Sequence, residues 1–256
     1  MSAYIEINHL QKSFGNADKR LEVLENVDFD VNKGEFICIV GSSGCGKSTL
    51  LRALAGIDTK HGGDVIIDGR KINKPSKEIG VVFQEPRLFP WLTVEQNISY
   101  ALDGVSKEEK QKNIAQHINL VGLSDFAKSY PAQLSGGMAQ RVSIARSLVN
   151  KPKVLLLDEP FGALDAFTKI QMQNELLKIQ RREKTTMIMV THDIEEAVYL
   201  SDKIVAMSAK PGRVKEIVHN ELPRPRDRNS YEFTLIKKKI YEEFFHDAKL
   251  QPEYII

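Results

Sequence analysis

Nine consecutive residues, from Gly41 to Thr49, have the composition of a loop that binds phosphate. They match the pattern G-x-x-x-x-G-K-[ST]. Glycines let the backbone curl until several N–H groups point into one concavity, where they bind phosphate oxygens. Lys47 adds a point charge for the β- and γ-phosphates, and Ser48 offers a hydroxyl ligand to Mg²⁺. The predicted nucleotide-binding residues are Gly41, Ser42, Ser43, Gly44, Cys45, Gly46, Lys47, Ser48 and Thr49.

Two adjacent carboxylates follow a second apolar run further along the chain. Val154–Leu157 has strand length and is followed directly by Asp158 and Glu159. In a parallel sheet, ligands bind beyond the carboxyl ends of the strands. We therefore expect Asp158 to face Mg²⁺ beside Ser48, and Glu159 to activate the attacking water as a general base.

A glutamine and a histidine each end a further short apolar run. Gln84 follows Val81-Val82-Phe83, and His192 follows Met187 to Thr191. Either residue alone would more often be an ordinary loop residue. Together with the phosphate loop and the carboxylates, however, the pattern predicts a role for each. The Gln84 amide is expected to position water or metal, and His192 is expected to hydrogen-bond the γ-phosphate.

A second candidate anion site lies at Leu134-Ser135-Gly136-Gly137, just before a segment of helical composition. Ser135 is a suitable helix N-cap. Gly136 and Gly137 expose backbone N–H groups at the positive end of that helix. A single chain with two phosphate sites suggests a head-to-tail pair, in which each nucleotide contacts the phosphate loop of one chain and the Ser-Gly-Gly segment of the other.

The elements that must position these residues alternate between strand and helix. Phe36–Val40 is apolar on both faces, which predicts a buried parallel strand before the phosphate loop, and Thr49–Ala55 predicts the helix after it. Residues 94–150 have a helical pattern and are predicted to form an inserted helical subdomain. Strand and helix then alternate up to Met207, which predicts parallel pairing. A tail helix is predicted to present Phe233, Ile236, Ile240 and Phe244 on one face.

Composition excludes several classes of protein. The chain has 256 residues, 42% of them hydrophobic and a formal net charge of +2, which is unlike a disordered chain or a general nucleic-acid binder. No window reaches the roughly 18 to 20 apolar residues of a membrane helix. Cys38 and Cys45 cannot form a disulfide framework, and a reducing compartment is expected. Cys45 is interpreted as a small residue in a tight loop; the alternative is a redox sensor.

The ordered motifs resemble the ATPase subunit of an ATP-binding cassette (ABC) transporter. The resemblance spans Ile5 to Ile217, and its motifs are Gly41–Thr49, Gln84, Leu134–Gly137, Asp158-Glu159, Ala163-Leu164-Asp165 and His192. It implies an α/β P-loop NTPase fold of the ABC ATPase type, with a mainly parallel core sheet, an antiparallel β subdomain and the inserted helical subdomain. The expected division is an ATPase domain over 1–220 and a short connector and helix over 221–256.

The resemblance also implies ligands and partners. ATP and Mg²⁺ are the expected cofactors, with Ser48, Gln84 and Asp158 as metal ligands and Gln84, Lys47, Glu159 and His192 as catalytic residues. Phe14 lies where the family places an aromatic that stacks on adenine, and Asp165 belongs to the nucleotide-binding set. The expected partners are a second copy in a head-to-tail ATP sandwich, two membrane-spanning permease subunits and, indirectly, a substrate-binding protein, with no nucleic acid. The expected location is the cytoplasmic face of the membrane, as a peripheral subunit.

A narrower resemblance concerns the nitrate/sulfonate/taurine importer branch. It rests on Gln84 to Val94, Leu134 to Met138 and Leu222 to Arg228, although Met138 replaces the common glutamine. It implies import of a small anion, with an aliphatic sulfonate as the prediction and taurine, nitrate and vitamin or pyrimidine precursors as alternatives.

An exporter is disfavoured by Phe89-Pro90-Trp91 and by the lack of a fused membrane domain. DNA-repair ATPases are disfavoured because the heptads of their coiled coils are missing, and ribosomal two-cassette factors because each motif occurs once. Arg224, Arg226 and Arg228 are expected to lie in a solvated, proline-stiffened connector; the alternative is a contact with lipid headgroups or a partner.

Overall fold

The computed structural model describes residues 3–15, 20–102 and 104–245 of the chain. Their strands are β1 (Ile5–Phe14), β2 (Leu21–Val31), β3 (Phe36–Gly41), β4 (Gly62–Ile67), β5 (Arg70–Lys71), β6 (Ile79–Val82), β7 (Val154–Asp158), β8 (Thr186–Thr191), β9 (Lys203–Met207) and β10 (Val214–His219). Their helices are α1 (Lys47–Leu54), α2 (Val94–Ala101), α3 (Lys107–Leu120), α4 (Gly136–Leu148), α5 (Ala166–Glu183), α6 (Ile194–Leu200) and α7 (Tyr231–Phe245).

The larger sheet has six strands in the order β10-β9-β3-β8-β7-β6. All neighbouring strands in it are parallel except the edge strand β10, which pairs antiparallel with β9. Strands β3, β7, β8 and β9 are buried along their whole length, as the apolar runs that form most of each strand predict. The parallel arrangement brings the ends of β3, β6, β7 and β8 to one edge of the sheet.

The two faces of this sheet pack into two separate cores. Phe36, Cys38 and Val40 of β3 face the core formed with the helical subdomain. Ile37 and Ile39 face the other core, formed with α1 and the smaller sheet. The smaller sheet is antiparallel, in the order β2-β1-β4-β5. The predicted mainly parallel core and antiparallel β subdomain are therefore confirmed.

Helices occupy the inserted region between β6 and β7, as predicted. Helix α4 starts at Gly136, because Ser135 caps it by accepting a hydrogen bond from the Met138 N–H. Helix α5 starts at Ala166, because Asp165 caps it by accepting from the Thr168 N–H. Both motifs therefore form helix N-termini.

The prediction of a solvated arginine connector is wrong. Arg226 is buried and donates hydrogen bonds to the carbonyl oxygens of Val198, Tyr199, Ser201, Asn220 and Leu222. Arg224 bonds Asp202 and the Leu200 carbonyl, while Arg228 bonds Glu195 and Gln173. The last carbonyl groups of a helix have no hydrogen-bond donor within the helix. At the end of α6, the guanidinium groups of Arg224 and Arg226 are the donors.

The C-terminal helix joins the same core as the sheet. Phe233 and Ile240 of α7 are fully buried there, and Ile236 packs against it. The side chain of Phe244 lies outside the described residues. Over 3–15, 20–102 and 104–245, no helix combines the length and apolar character needed to span a membrane.

Candidate nucleotide site

The phosphate loop connects β3 to α1, as the sequence predicts. Gly46 forms the N-cap of α1 with a φ of 92°, in the left-handed region that glycine adopts without strain. Gly41 is equally constrained by space, since a Cβ there would lie 2.7 Å from Cys45 Sγ and 2.9 Å from the Met207 carbonyl oxygen. Lys47 Nζ lies within the loop and donates to the carbonyls of Gly41 at 2.7 Å and Ser42 at 3.0 Å.

Both cysteines are free and buried. The Cys45 side chain belongs to the core beneath the loop, which agrees with the interpretation as a small packing residue. Burial raises the pKa of the Cys38 thiol, so this buried strand residue is held as the neutral thiol.

Asp158 and Ser48 meet at the end of β7. Ser48 Oγ donates to Asp158 Oδ1 at 3.1 Å across the gap between α1 and the sheet. Burial raises the pKa of Asp158 and the hydrogen bond from Ser48 lowers it, while the charge of Glu159 raises it further. A divalent cation would favour the ionised carboxylate. Mg²⁺ prefers hard oxygen ligands. Such oxygens are present in the hydroxyl of Ser48, the carboxylate of Asp158 and the amide of Gln84, so these residues fit the metal.

The Glu159 carboxylate lies beside two other predicted catalytic side chains, those of His192 and Gln84. Its Oε2 lies 3.2 Å from His192 Nδ1 and 3.5 Å from Gln84 Nε2. Its backbone has a φ of 46°, an uncommon value for a residue with a Cβ, and its N–H donates to the Val190 carbonyl of β8 at 3.0 Å. This conformation turns the chain at the end of β7, and nothing in the Asp-Glu pattern of the sequence signals it.

One cavity of about 420 Å³ joins the loop to this cluster. Its lining comprises Val23, Ser43, Gly44, Gly46, Lys47, Ser48, Gln84, Glu159 and His192. All of these except Val23 are predicted catalytic or phosphate-binding residues, and they come from four separate stretches of chain. The sequence analysis missed Val23 of β2. No local pattern in the sequence of β2 distinguishes Val23 as a residue that lines a ligand site.

Helix α4 holds the segment that carries Gln84. Gln140 donates to the Phe83 carbonyl at 3.1 Å, and Arg146 donates to the carbonyls of Pro86 at 3.0 Å and Arg87 at 2.9 Å. Helix α4, which Ser135 caps, therefore holds the backbone on both sides of Gln84. The sequence analysis did not single out Gln140 or Arg146.

The remaining predicted residues lie elsewhere. Gly137 touches the loop that contains Asp165, since a Cβ on Gly137 would lie 2.9 Å from the Ala163 carbonyl oxygen and 3.3 Å from Leu164. A second surface is thus formed by Ser135, Gly136, Gly137 and Asp165. None of these four residues, all of which the structure describes, is in the lining of the 420 Å³ cavity. Phe14 is half exposed at the end of β1, with Lys12 Nζ 4.8 Å from its ring centroid.

Comparison with known proteins places this geometry in a family. The model of the family described as "ABC transporter" matches residues 24–162. The chain belongs to the ABC transporter family. The aliphatic sulfonates import ATP-binding protein SsuB of a Bacillus cereus strain is 52% identical over 247 residues, which are 96% of this chain and 98% of that protein. The protein of the same name from Bacillus subtilis (strain 168) is 48% identical over 240 residues, 94% of each chain.

Solved structures agree with the fold. The dimeric cassette MJ0796, in a post-hydrolysis state bound to ADP and Pi, is 32% identical with a TM-score of 0.77, over 86% of this chain and all of that one. A second dimeric structure of that bacterial ABC transporter cassette has a TM-score of 0.78. The predicted P-loop ABC ATPase fold is therefore confirmed. The chain is an ATP-binding cassette whose ATP hydrolysis is coupled to transport.

Proposed function

We propose that this cassette energises the import of an aliphatic sulfonate, as the peripheral ATPase subunit at the cytoplasmic face of the membrane. Support comes from relatives of that name that are about 50% identical over nearly their full length. The observation that carries the hydrolytic role is the convergence of Gln84 and His192 on Glu159 Oε2, in one cavity with the phosphate loop.

ATP binds with its phosphates on the N–H groups of Gly41–Thr49 and at the N-terminus of α1. Lys47 exchanges its bonds to the loop carbonyls for the β- and γ-phosphates. Ser48, Asp158 and Gln84 would hold Mg²⁺, which would neutralise charge on the phosphates. The half-exposed ring of Phe14 receives the adenine, with Lys12 behind it.

Hydrolysis begins when Glu159 takes a proton from a water molecule. The water oxygen forms a bond to the γ-phosphorus while the bond to the β–γ bridging oxygen breaks, which leaves ADP and phosphate. His192 hydrogen-bonds the γ-phosphate, where negative charge develops, and Gln84 orients the water. Both side chains already lie within 3.5 Å of Glu159, so they need only small movements.

The second surface serves a second copy of the chain. Ser135, Gly136 and Gly137 present the N-terminus of α4, and Asp165 lies in the loop packed against Gly137. This anion-binding end is directed to the nucleotide of the partner in a head-to-tail sandwich. The dimeric MJ0796 cassettes support this assembly.

The permease contacts the exposed aromatic cluster of the helical subdomain. Phe89 lies 5.6 Å from Trp91 and 4.6 Å from Tyr100 between ring centroids. Trp91 and Tyr100 are exposed by 69% and 68%, and Phe89 and Trp91 lie on the segment that follows Gln84. Gln84 therefore connects the γ-phosphate to the surface that meets the membrane subunits, which in turn receive the substrate from a binding protein.

The test is uptake into proteoliposomes that contain the chain and the permease encoded beside it, with the binding protein added. We expect ATP-dependent uptake of a labelled alkanesulfonate, competed by unlabelled alkanesulfonate and poorly by nitrate. Selective uptake of taurine, nitrate or a pyrimidine precursor would overturn the substrate assignment. Export of the alkanesulfonate would overturn the direction.

A further inference from the structure

The turn that carries His192 is held by a lysine from a different helix. Lys169, in the first turn of α5, donates from Nζ to Asp193 Oδ2 at 2.8 Å and to Glu196 Oε1 at 2.6 Å. Asp193 follows His192 directly, and Glu196 lies one helical turn further along α6. A single ammonium therefore joins α5 to the start of α6.

The same network fixes the residue on the other side of His192. Thr191 Oγ1 donates to Glu196 Oε2 at 2.7 Å and accepts from the Asp193 N–H at 3.0 Å. Thr191 and Glu196 are buried, while the His192 side chain is 69% exposed. The two neighbours of His192 are thus fixed, and its imidazole is presented to the Glu159 carboxylate.

Electrostatics favour the charged form of this network. Burial opposes the charge on Lys169, but hydrogen bonds to Asp193 and Glu196 outweigh it and raise the pKa of Lys169. For Asp193, burial raises the pKa, but the bond and charge of Lys169 together with the backbone N–H groups of Glu195 and Glu196 outweigh it, and the pKa is lowered. Glu196 is buried, and Lys169 is the cation that its carboxylate contacts. Loss of Lys169 would remove that counter-charge.

The other end of the connection is the loop that contains Asp165. The Lys169 N–H donates to the Asp165 carbonyl at 2.8 Å, and the Asp165 side chain caps α5. Lys169 therefore contacts the Asp165 loop through its backbone and the His192 turn through its side chain. Displacing the start of α5 moves the anchor of the His192 turn.

We propose that Lys169 is a positioning residue for hydrolysis: it fixes the Thr191–Asp193 turn so that His192 reaches Glu159, and it links that turn to the Asp165 loop. This inference rests on the roles proposed above for His192, Glu159 and the partner-facing Asp165. Lys169 does not line the 420 Å³ cavity, so its loss is expected to change the geometry of the reaction and to leave phosphate binding intact.

The test measures steady-state ATP hydrolysis by the full chain. In Lys169→Met we expect kcat to fall by about 10- to 100-fold with KM for ATP changed by less than about twofold, the scale of a misplaced catalytic group. Lys169→Arg should restore kcat to within about threefold of the parent, because its guanidinium can reach both carboxylates. Lys178→Met is the matched control, since Lys178 is 71% exposed and pairs with Glu175 of the same helix.

Two further variants separate positioning from folding. Lys169→Met/Glu196→Gln removes the uncompensated buried charge, so we expect parental melting temperature with kcat still low. On a His192→Ala background, Lys169→Met should lower kcat by less than about twofold, because residues that act through one group are not additive.

Several results would overturn the inference. The first is a kcat of Lys169→Met within about twofold of the parent. The second is a fall in kcat of about 10- to 100-fold when Lys169→Met is added to His192→Ala. The third is a double variant, Lys169→Met/Glu196→Gln, that recovers kcat together with stability. A parent that does not hydrolyse ATP would overturn the proposed function, and this inference with it. An active parent beside an equally active Lys169→Met overturns the inference alone.

Discussion

The carboxylate of Glu159 depends on a backbone conformation that residues with a Cβ rarely adopt. A positive φ at such a residue costs about 1–3 kcal/mol. Here the bond from its N–H to Val190 and the burial of β7 on both sides hold the turn. The conformation directs Oε2 to His192 and Gln84, which is the geometry that the proposed general base needs.

Glu159→Gln tests that role. The amide keeps the shape and ATP binding but cannot take the proton of the water, so hydrolysis should fall by roughly 10²-fold or more. The ATP-bound dimer should then accumulate, which size-exclusion chromatography with ATP would detect. Glu85→Gln, an exposed neighbour of Gln84, is the control and should keep parental turnover. Near-parental turnover in Glu159→Gln would contradict the assignment.

At the scale of elements, helix α4 links two parts of the site. Its N-terminus carries Ser135 and Gly137, and its body bonds the backbone on both sides of Gln84 through Gln140 and Arg146. Bonds from an ionised guanidinium contribute about 1.5–3 kcal/mol each. The helix and the Gln84 segment should therefore move as one body when nucleotide binds.

Arg146→Met removes two of these bonds. We expect kcat to fall by about tenfold, because Gln84 loses its fixed position. Hydrogen exchange of residues 84–92 should rise. Arg141→Met is the control on the same helix: Arg141 bonds the Val121 carbonyl at 2.8 Å, away from Gln84, so exchange at 84–92 should stay parental. Unchanged exchange in Arg146→Met would show that α4 does not hold the segment.

The aromatic cluster can be tested through Trp91, the single tryptophan of the chain. Aromatic anchors near the centre of an interface commonly cost about 2 kcal/mol or more when truncated. Trp91→Ala should abolish assembly with the permease and transport, while basal hydrolysis by the isolated subunit stays parental. Phe126→Ala, at another exposed aromatic of the subdomain, serves as control. Parental transport by Trp91→Ala would refute the docking surface; tryptophan fluorescence with permease follows binding directly.

At the scale of the whole molecule, the C-terminal segment is an integral part of the ATPase core. Burial lowers the pKa of Arg226 to about 10, so the guanidinium is still charged at neutral pH. It bonds the end of α6, whose other end follows His192 and Asp193. Lys237 and Arg228 both bond Glu195 of α6, at 2.9 Å and 3.3 Å. The tail thus holds the helix that begins beside His192, the histidine proposed to contact the γ-phosphate.

Arg226→Met should destabilise the chain by about 3 kcal/mol or more, because several buried carbonyls lose a charged donor. For a chain of this size, that corresponds to a melting temperature lower by about 6 °C or more. Arg226→Lys should recover little, since an ammonium cannot reproduce the planar fork. Arg182→Met is the control, because Arg182 is 60% exposed and pairs with its neighbour Glu183. A parental melting temperature for Arg226→Met would contradict this account.

The sequence by itself determined the nucleotide loop, the fold class and the strands at whose carboxyl ends Gln84, Asp158 and His192 lie. These features follow from local rules: glycine spacing, apolar runs and alternation of strand and helix. Once the strands are parallel, their carboxyl ends must meet at one edge, so the meeting of Ser48 with Asp158, 110 residues later, was predictable in kind.

Only the tertiary structure decided the contacts made by long polar side chains. Arginine and lysine are residue types that usually lie at the surface, and Arg226 was predicted to lie in solvent. The same expectation would hold for Arg146 and Lys169. Each instead satisfies backbone carbonyls or carboxylates that folding removes from water, at positions distant along the chain. A charged side chain is buried only where such partners converge. That convergence depends on the packing of α4, α5 and α6, which no local pattern specifies.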